Sequence, residues 1–187
     1  EPSGDEPSSR PVVTLLPGGH RRAEGGHPWI YSNEVQMDAA AKALPPGSLV
    51  TLRRSDSRPL GVATFNPHTL LAARLLDRDA ARPIGRRFLW RRLERALRLR
   101  ERLFSAPYYR LAHAEADGLP GLVADRFGPV LAVQINTAGM ELMQPVVIEV
   151  LTDLFGSPVE VFQHGDRIIV LADEEQGRHV HGENRER

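Results

Sequence analysis

Residues 111–134, LAHAEADGLPGLVADRFGPVLAVQ, hold the reading that decides the fold. Two turn signals, Asp117-Gly118 with Pro120-Gly121 and then Phe127-Gly128-Pro129, bracket short alternating apolar runs. Glycine reaches backbone angles that other residues adopt only with strain, and proline fixes its own φ, so these positions set where each strand stops and turns. The stretch predicts a tight β-meander.

Working outward, the same punctuation recurs toward the N-terminus. The run Val12 to Leu16 ends at Pro17-Gly18-Gly19, and Trp29, Ile30 and Tyr31 follow Gly25-Gly26 and Pro28. Pro45-Pro46-Gly47 precedes the alternating SLVTL of residues 48–52, and LGVATF (60–65) and TLLAARLL (69–76) flank Asn66-Pro67-His68. Short strands at this spacing with Gly/Pro turns predict a small β-barrel or compact all-β module. The period changes after Pro83. From Arg86 to Phe104 the apolar residues Leu89, Leu93, Ala96, Leu97 and Phe104 recur every three or four positions, which predicts an amphipathic helix. A second helix is predicted from Met140 to Phe155, with Met143, Val147, Val150, Leu151 and Leu154 as its stripe, Pro145 in its first turns and Gly156 as its stop. Val159 to Phe162 and Arg167 to Leu171 read as a closing strand pair. Residues 1–10 and 173–187 are polar or charged without pattern and are expected to be flexible tails. The fold class is therefore α+β, with no internal repeat.

Composition narrows the function classes. The chain has 187 residues, 41% of them hydrophobic, and a formal net charge of zero, which argues against a uniformly basic nucleic-acid binder. The charge is unevenly placed: between Arg74 and Arg102 arginines far outnumber the acids Asp77, Asp79, Glu94 and Glu101. Lys42 is the single lysine among 24 Lys and Arg residues, a bias that genome composition explains as readily as function. With no cysteine, disulfides, thiolate zinc sites and a thiolate nucleophile are excluded. No apolar run of membrane-spanning length and no leader pattern is visible, so a soluble cytoplasmic protein with no membrane partner is expected.

Three constellations can carry chemistry. On the predicted Arg-rich helix, Arg91, Arg95, Arg98 and Arg102 share one side by i, i+4 and i, i+3 spacing, a cationic face able to meet phosphates bidentately. The alternative is a solvated surface with local pairs to Glu94 and Glu101. Second, His27, Trp29, Tyr31 and Asn33 alternate near Arg21 and Arg22, and a strand would put the four on one face. Aromatics interleaved with guanidinium groups grip single-stranded RNA; the alternative places Trp29 and Tyr31 in the barrel core. Arg74, which opens the basic stretch, completes the candidate RNA-binding set of Arg21, Arg22, His27, Trp29, Tyr31, Arg74, Arg91, Arg95, Arg98 and Arg102. Third, His113, Glu115 and Asp117 alternate, so one strand face could offer a metal set or an acid/base pair, as could His179 with His181. No third ligand of fixed spacing follows, and a small metal-dependent hydrolase is the minor alternative. No catalytic, cofactor-binding or metal residue is assigned. In particular, no G-x-G-x-G occurs, and Gly118-Leu119-Pro120-Gly121 opens no helix of the kind a methyl-donor site needs.

The segments GHPWIY (26–31), LGVATFNPHTLLAAR (60–74) and above all Glu115 to Gln134 resemble bacterial large-subunit ribosomal RNA cytosine-C5 methyltransferases that carry an N-terminal PUA domain. The match runs from about Val12 to Arg167. It implies a PUA-like RNA-binding domain over 11–79, a linking Arg-rich helix over 80–105 and a small strand-strand-helix-strand-strand domain over 106–172. It also implies ribosomal RNA as partner, S-adenosylmethionine as the parent's cofactor, and a C-terminal methyltransferase domain beyond this stretch. The family's covalent nucleophile is a cysteine, which this chain lacks. The reading that follows is of modules that position ribosomal RNA for a methyltransferase without carrying its catalytic half; a free-standing RNA-binding or ribosome-assembly module is the alternative.

Overall fold

The structure is a computed structural model, and residues 10–156, 160–164 and 167–171 are described. Residues 1–9 of the predicted N-terminal tail and all of the predicted tail 173–187, with His179 and His181, lie outside the described residues. The chain divides into two compact units, the first comprising residues up to Ile84 together with Thr137–Leu142, the second Gly85–Asn136 and the residues from Met143 on.

The first unit is built on five strands, β1 (Val12–Thr14), β2 (Trp29–Ile30), β3 (Ser48–Arg53), β4 (Pro59–Phe65) and β5 (Ala73–Asp77), in the order β1-β3-β4-β5-β2. Only β1 and β3 run parallel. The sheet curls into a half-barrel. Beyond β1, Leu15 bridges Val35, and the Leu16 and Gln36 amides donate to the Glu34 and Thr14 carbonyls at 2.8 and 2.9 Å. The chain that follows one edge strand is thereby stitched to the chain that follows the other. Val13, Leu15, Ile30, Val50, Leu52, Ala63 and Phe65 fill the interior, and Phe65, 1% exposed, is its largest side chain. Strand β4 is buried on both faces from Gly61 to Phe65 because it lies between β3 and β5. Two short helices, α1 (Arg21–Glu24) and α2 (Ala39–Lys42), interrupt a region read as strands and turns only. At four residues each they are too short to show a helical period, although Asp38 caps α2 by accepting from the Ala41 amide at 2.8 Å. Arg10, placed by sequence at the end of the tail, donates to the Arg82 and Ala80 carbonyls at 2.8 and 2.9 Å.

In the second unit, helix α3 (Arg86–Leu103) precedes strands β6 (Tyr108–His113), β7 (Leu122–Phe127) and β8 (Val130–Ile135). The meander is present: β6 pairs β7 and β7 pairs β8, both antiparallel. Phe127 faces Val130 across the two-residue turn Gly128-Pro129. Gly128 at φ +61°, followed by a proline whose ring imposes a negative φ, has the sign order of a type II′ turn, whose twist matches that of the strands. Strands β9 (Glu160–His164) and β10 (Arg167–Leu171) complete the order β6-β7-β8-β10-β9. Three strands rather than the expected two therefore precede the helix, because Tyr108–His113, in which Tyr109 and Leu111 are buried and Tyr108 and Arg110 exposed, also pairs along β7. Tyr109, Leu111, Leu122, Ala124, Leu131 and Val133 are buried, and this face carries α3 and the later helix α5 (Gln144–Phe155). Arg126 of β7 joins β6 to α5, its guanidinium 4.8 Å from the Phe155 ring and its Nη1 2.8 Å from the Tyr109 hydroxyl.

The single helix predicted from Met140 to Phe155 is two. Helix α4 (Ala138–Leu142) belongs to the first unit, where Gly139 packs against the Thr64 side chain. A continuous helix would carry Pro145 in its interior, without an N–H for the fourth preceding carbonyl; starting afresh at Gln144 puts that proline in the first turn, where no partner is needed.

Candidate nucleic-acid interface

In the first unit the predicted aromatic-cation group assembles, but not as one strand face. Strand β2 ends at Ile30, which is buried, and Ser32–Glu34 forms a 3-10 turn. The period-two placement of His27, Trp29, Tyr31 and Asn33 on one face is thus corrected: only Trp29 of the four is in the strand. The reason is Glu34. Its carboxylate accepts the Tyr31 amide at 2.7 Å, closing the turn as an acidic side chain at the third helical position does.

Two pairs replace the single row. The His27 and Trp29 rings meet edge to face at 5.3 Å, and His27 Nδ1 accepts the Trp29 amide at 3.3 Å. Trp29 is half-buried rather than part of the core, and Arg74 is its register partner across the β2–β5 ladder. In the second pair the Arg22 guanidinium lies 4.6 Å over the Tyr31 ring. It is held there by Glu34, with Nε and Nη2 donating to the two carboxylate oxygens at 3.2 and 3.0 Å. That hydrogen-bonded carboxylate, first among the causes, raises the Arg22 pKa above its usual value. Arg21, one position earlier on α1, is exposed. Together Arg22, Tyr31, Ser32, Asn33, Glu34 and Leu70 line an open concavity of about 500 Å³. Glu34 and Leu70 were not anticipated. The spacing Tyr31 to Glu34 is the signal that could have found the first; nothing in the sequence brings Leu70 to the same place.

In the second unit α3 sorts its arginines into two sets. Arg86 pairs with Asp153 and, at 2.6 Å, with Glu149; Arg92 donates to the Gly118 carbonyl at 2.5 Å and lies 4.3 Å over the Phe88 ring; Arg100 holds Asp117 at 2.7 Å. These side chains fasten the helix to its own unit. Arg91, Arg95, Arg98 and Arg102 are exposed, and Arg87 extends their row by one turn toward the N-terminus. Of these five, Arg98 alone has an acidic partner among the described residues, Glu94 at 3.0 Å. Such an exposed i, i+4 pair is worth only about 0.3–0.5 kcal/mol and yields readily to a phosphate.

The third constellation does not form. Residues Ala114–Asp117 are a 3-10 turn, not a strand, and Asp117 turns inward, where its carboxylate accepts both Arg100 nitrogens and the His113 amide, the last at 2.7 Å. An oxygen pair so occupied serves neither a metal nor proton transfer. Among the described residues no group of three His, Asp or Glu side chains could hold a metal ion. Nor does the Gly118–Gly121 turn fit a methyl donor: it leads into β7 rather than a helix, and the space a Cβ would take at Gly118 is filled by the Arg92 guanidinium. No helix among the described residues is long and apolar enough to cross a membrane.

Comparison with known proteins bears on this geometry. Residues 13–78 match the model of a PUA-like domain. The chain is 30% identical over 158 residues to the ribosomal RNA large subunit methyltransferase I of Pseudoalteromonas translucida, covering 83% of this chain and 39% of that protein. It is 34% identical over 142 residues to the protein of that name in Shewanella denitrificans, covering 74% and 36%. The chain thus spans less than two fifths of the length of these curated relatives. Among solved structures, a chain described as a SAM-dependent methyltransferase from Streptococcus mutans superposes with a TM-score of 0.66 at 10% identity, over 87% of this chain and 49% of its own. A methyltransferase complexed with SAH gives 0.67 at 10% identity, over 89% and 49%; at that identity the likeness is one of fold. The chain therefore contains a PUA-like domain and is homologous, over most of its length, to large-subunit ribosomal RNA methyltransferases.

Proposed function

We propose that these residues are the RNA-engaging part of a SAM-dependent ribosomal RNA methyltransferase, and that they hold a segment of large-subunit ribosomal RNA for modification at cytosine C5. The observation that carries this reading is the division of labour on α3: Arg86, Arg92 and Arg100 are spent on internal contacts, while Arg87, Arg91, Arg95 and Arg102 project outward without an acidic partner among the described residues. Guanidinium groups along one helix face meet successive phosphates, and each neutralised phosphate releases counterions. In the first unit, Arg74 is the register partner of Trp29 and Arg22 lies over Tyr31, so cations stand beside aromatic surface as they do where unpaired RNA is bound.

The cytosine-C5 assignment is supported by the resemblance of the 26–31, 60–74 and 115–134 segments. In this reading the methyl donor and the covalent nucleophile belong to residues outside the stretch. Support comes from the absence of cysteine and from the Gly118 turn, which is closed by Arg92. We place the activity in the cytoplasm, where ribosomal RNA is modified, and read 11–79, 80–105 and 106–172 as PUA-like domain, Arg-rich helix and α+β domain. The test is filter binding of a large-subunit ribosomal RNA fragment at low salt. Retention that declines as salt rises supports the reading, and no retention at low ionic strength overturns it.

A further inference from the structure

We infer that the concavity lined by Arg22, Tyr31, Asn33 and Leu70 receives one unstacked nucleobase of the bound RNA, and that it is not a phosphate site. The inference rests on the RNA-binding reading above and concerns what this part of the surface recognises. Its first ground is the state of Arg22. Nε and Nη2 are both engaged by Glu34, so one of the guanidinium's two bidentate edges is occupied, and the carboxylate beside it repels an incoming anion. Beside Nη1, which Glu34 leaves free, Arg22 offers a delocalised plane whose central carbon lies over the Tyr31 ring. Guanidinium planes stack on aromatic and nucleobase rings because they are delocalised and weakly hydrated.

The remaining walls suit the same ligand. Leu70 is 81% exposed, although its carbonyl is fixed by the Ser32 amide at 2.8 Å, so an apolar side chain is held at the rim by an ordered backbone. Covering it with a ring removes apolar surface from water. Asn33 is exposed on the 3-10 turn, and its amide has no partner among the described residues; it supplies a donor and an acceptor, the combination that reads a base edge. The volume, about 500 Å³, lies within the roughly 300–1,000 Å³ of ligand sites. A base paired within a duplex cannot present its face here, so the site selects unpaired nucleotides.

The experiment compares a ten-nucleotide single-stranded RNA with the same strand annealed to its complement, for the wild-type chain and for Arg22→Lys, Leu70→Ala, Asn33→Ala and the α3 variant R91A/R95A/R98A/R102A. Arg22→Lys keeps a cation for Glu34 and removes the plane. The wild type is expected to prefer the single strand. Arg22→Lys and Leu70→Ala should each weaken single-strand binding on the order of tenfold, the scale of one base-stacking interaction, with the salt slope unchanged and the duplex bound as before. Wild-type affinity in Arg22→Lys, Leu70→Ala and Asn33→Ala, alongside weakened binding by the α3 variant, would overturn the base pocket and leave RNA binding standing. Failure of the wild-type chain to bind either RNA at low salt would overturn both. Circular dichroism melts confirm folding, and Leu70→Ala, at an exposed side chain, keeps the test decisive should Arg22→Lys fail to fold.

Discussion

The Arg100 guanidinium meets both oxygens of Asp117, at 2.8 and 2.7 Å, across the join between α3 and the turn that opens the meander. The side chains are 13% and 10% exposed, and Asp117 also accepts the His113 amide. A pair shielded from water and satisfied on every oxygen is structural. Removing one partner leaves an uncompensated charge in a poorly solvated place.

Asp117→Ala should therefore destabilise the second unit by about 3 kcal/mol, read as a lower urea midpoint with the slope unchanged. A loss below about 1 kcal/mol would show that the pair behaves as a surface contact and would return Asp117 to the candidates for chemistry.

Gly118 closes the same turn at φ +70°, and a Cβ there would run into Arg92. Gly118→Ala combines a left-handed backbone with displacement of the Arg92 guanidinium, and is expected to cost about 1–3 kcal/mol. Thermal melts of Gly118→Ala beside Gly26→Ala separate the two effects. Gly26 is also at positive φ, but nothing lies within 4 Å of its Cβ position, so the effect of its substitution should be the smaller.

Asp56 provides a pH test. The Arg58 side chain, its first and largest influence, donates to the carboxylate at 2.7 and 3.0 Å and holds the pKa at about 2. A carboxylate held below its ordinary 3.8 contributes stability that is complete above that value and is lost as pH falls toward about 2. In a carboxyl-carbon NMR titration the Asp56 midpoint should sit near the lower value and rise toward the ordinary one in Arg58→Gln; an unmoved midpoint would remove Arg58 as the cause.

The parts of the fold legible in the sequence were those where one residue type had one use. Gly128-Pro129 could only turn a hairpin, and the spacing of Leu89, Leu93 and Ala96 could only be a helix face; each is found as read. Short elements were opaque. The four residues of α1 carry no period, and the break after Leu142 followed from Pro145 only once the preceding residues were known to pack on Thr64. His113 to Asp117 misled because alternation alone does not reveal a cap: Asp117 bends the chain by accepting the amide of His113. At the candidate interface the arginine row on α3 was visible from spacing alone. Which other arginines of the helix are consumed internally was not, because Asp117, Glu149 and Asp153 reach Arg100 and Arg86 from distant positions in the chain.

The claim that this polypeptide holds RNA through the outer row of α3 is tested most directly by the salt dependence of binding to a large-subunit ribosomal RNA fragment, for the wild-type chain and for R91A/R95A/R98A/R102A. The variant should fold normally, since these side chains are exposed, and bind more weakly. Its log-log slope should be shallower by roughly 0.7 for each single-strand phosphate that the removed arginines no longer neutralise. Equal affinity and equal slope in the two proteins would contradict the account.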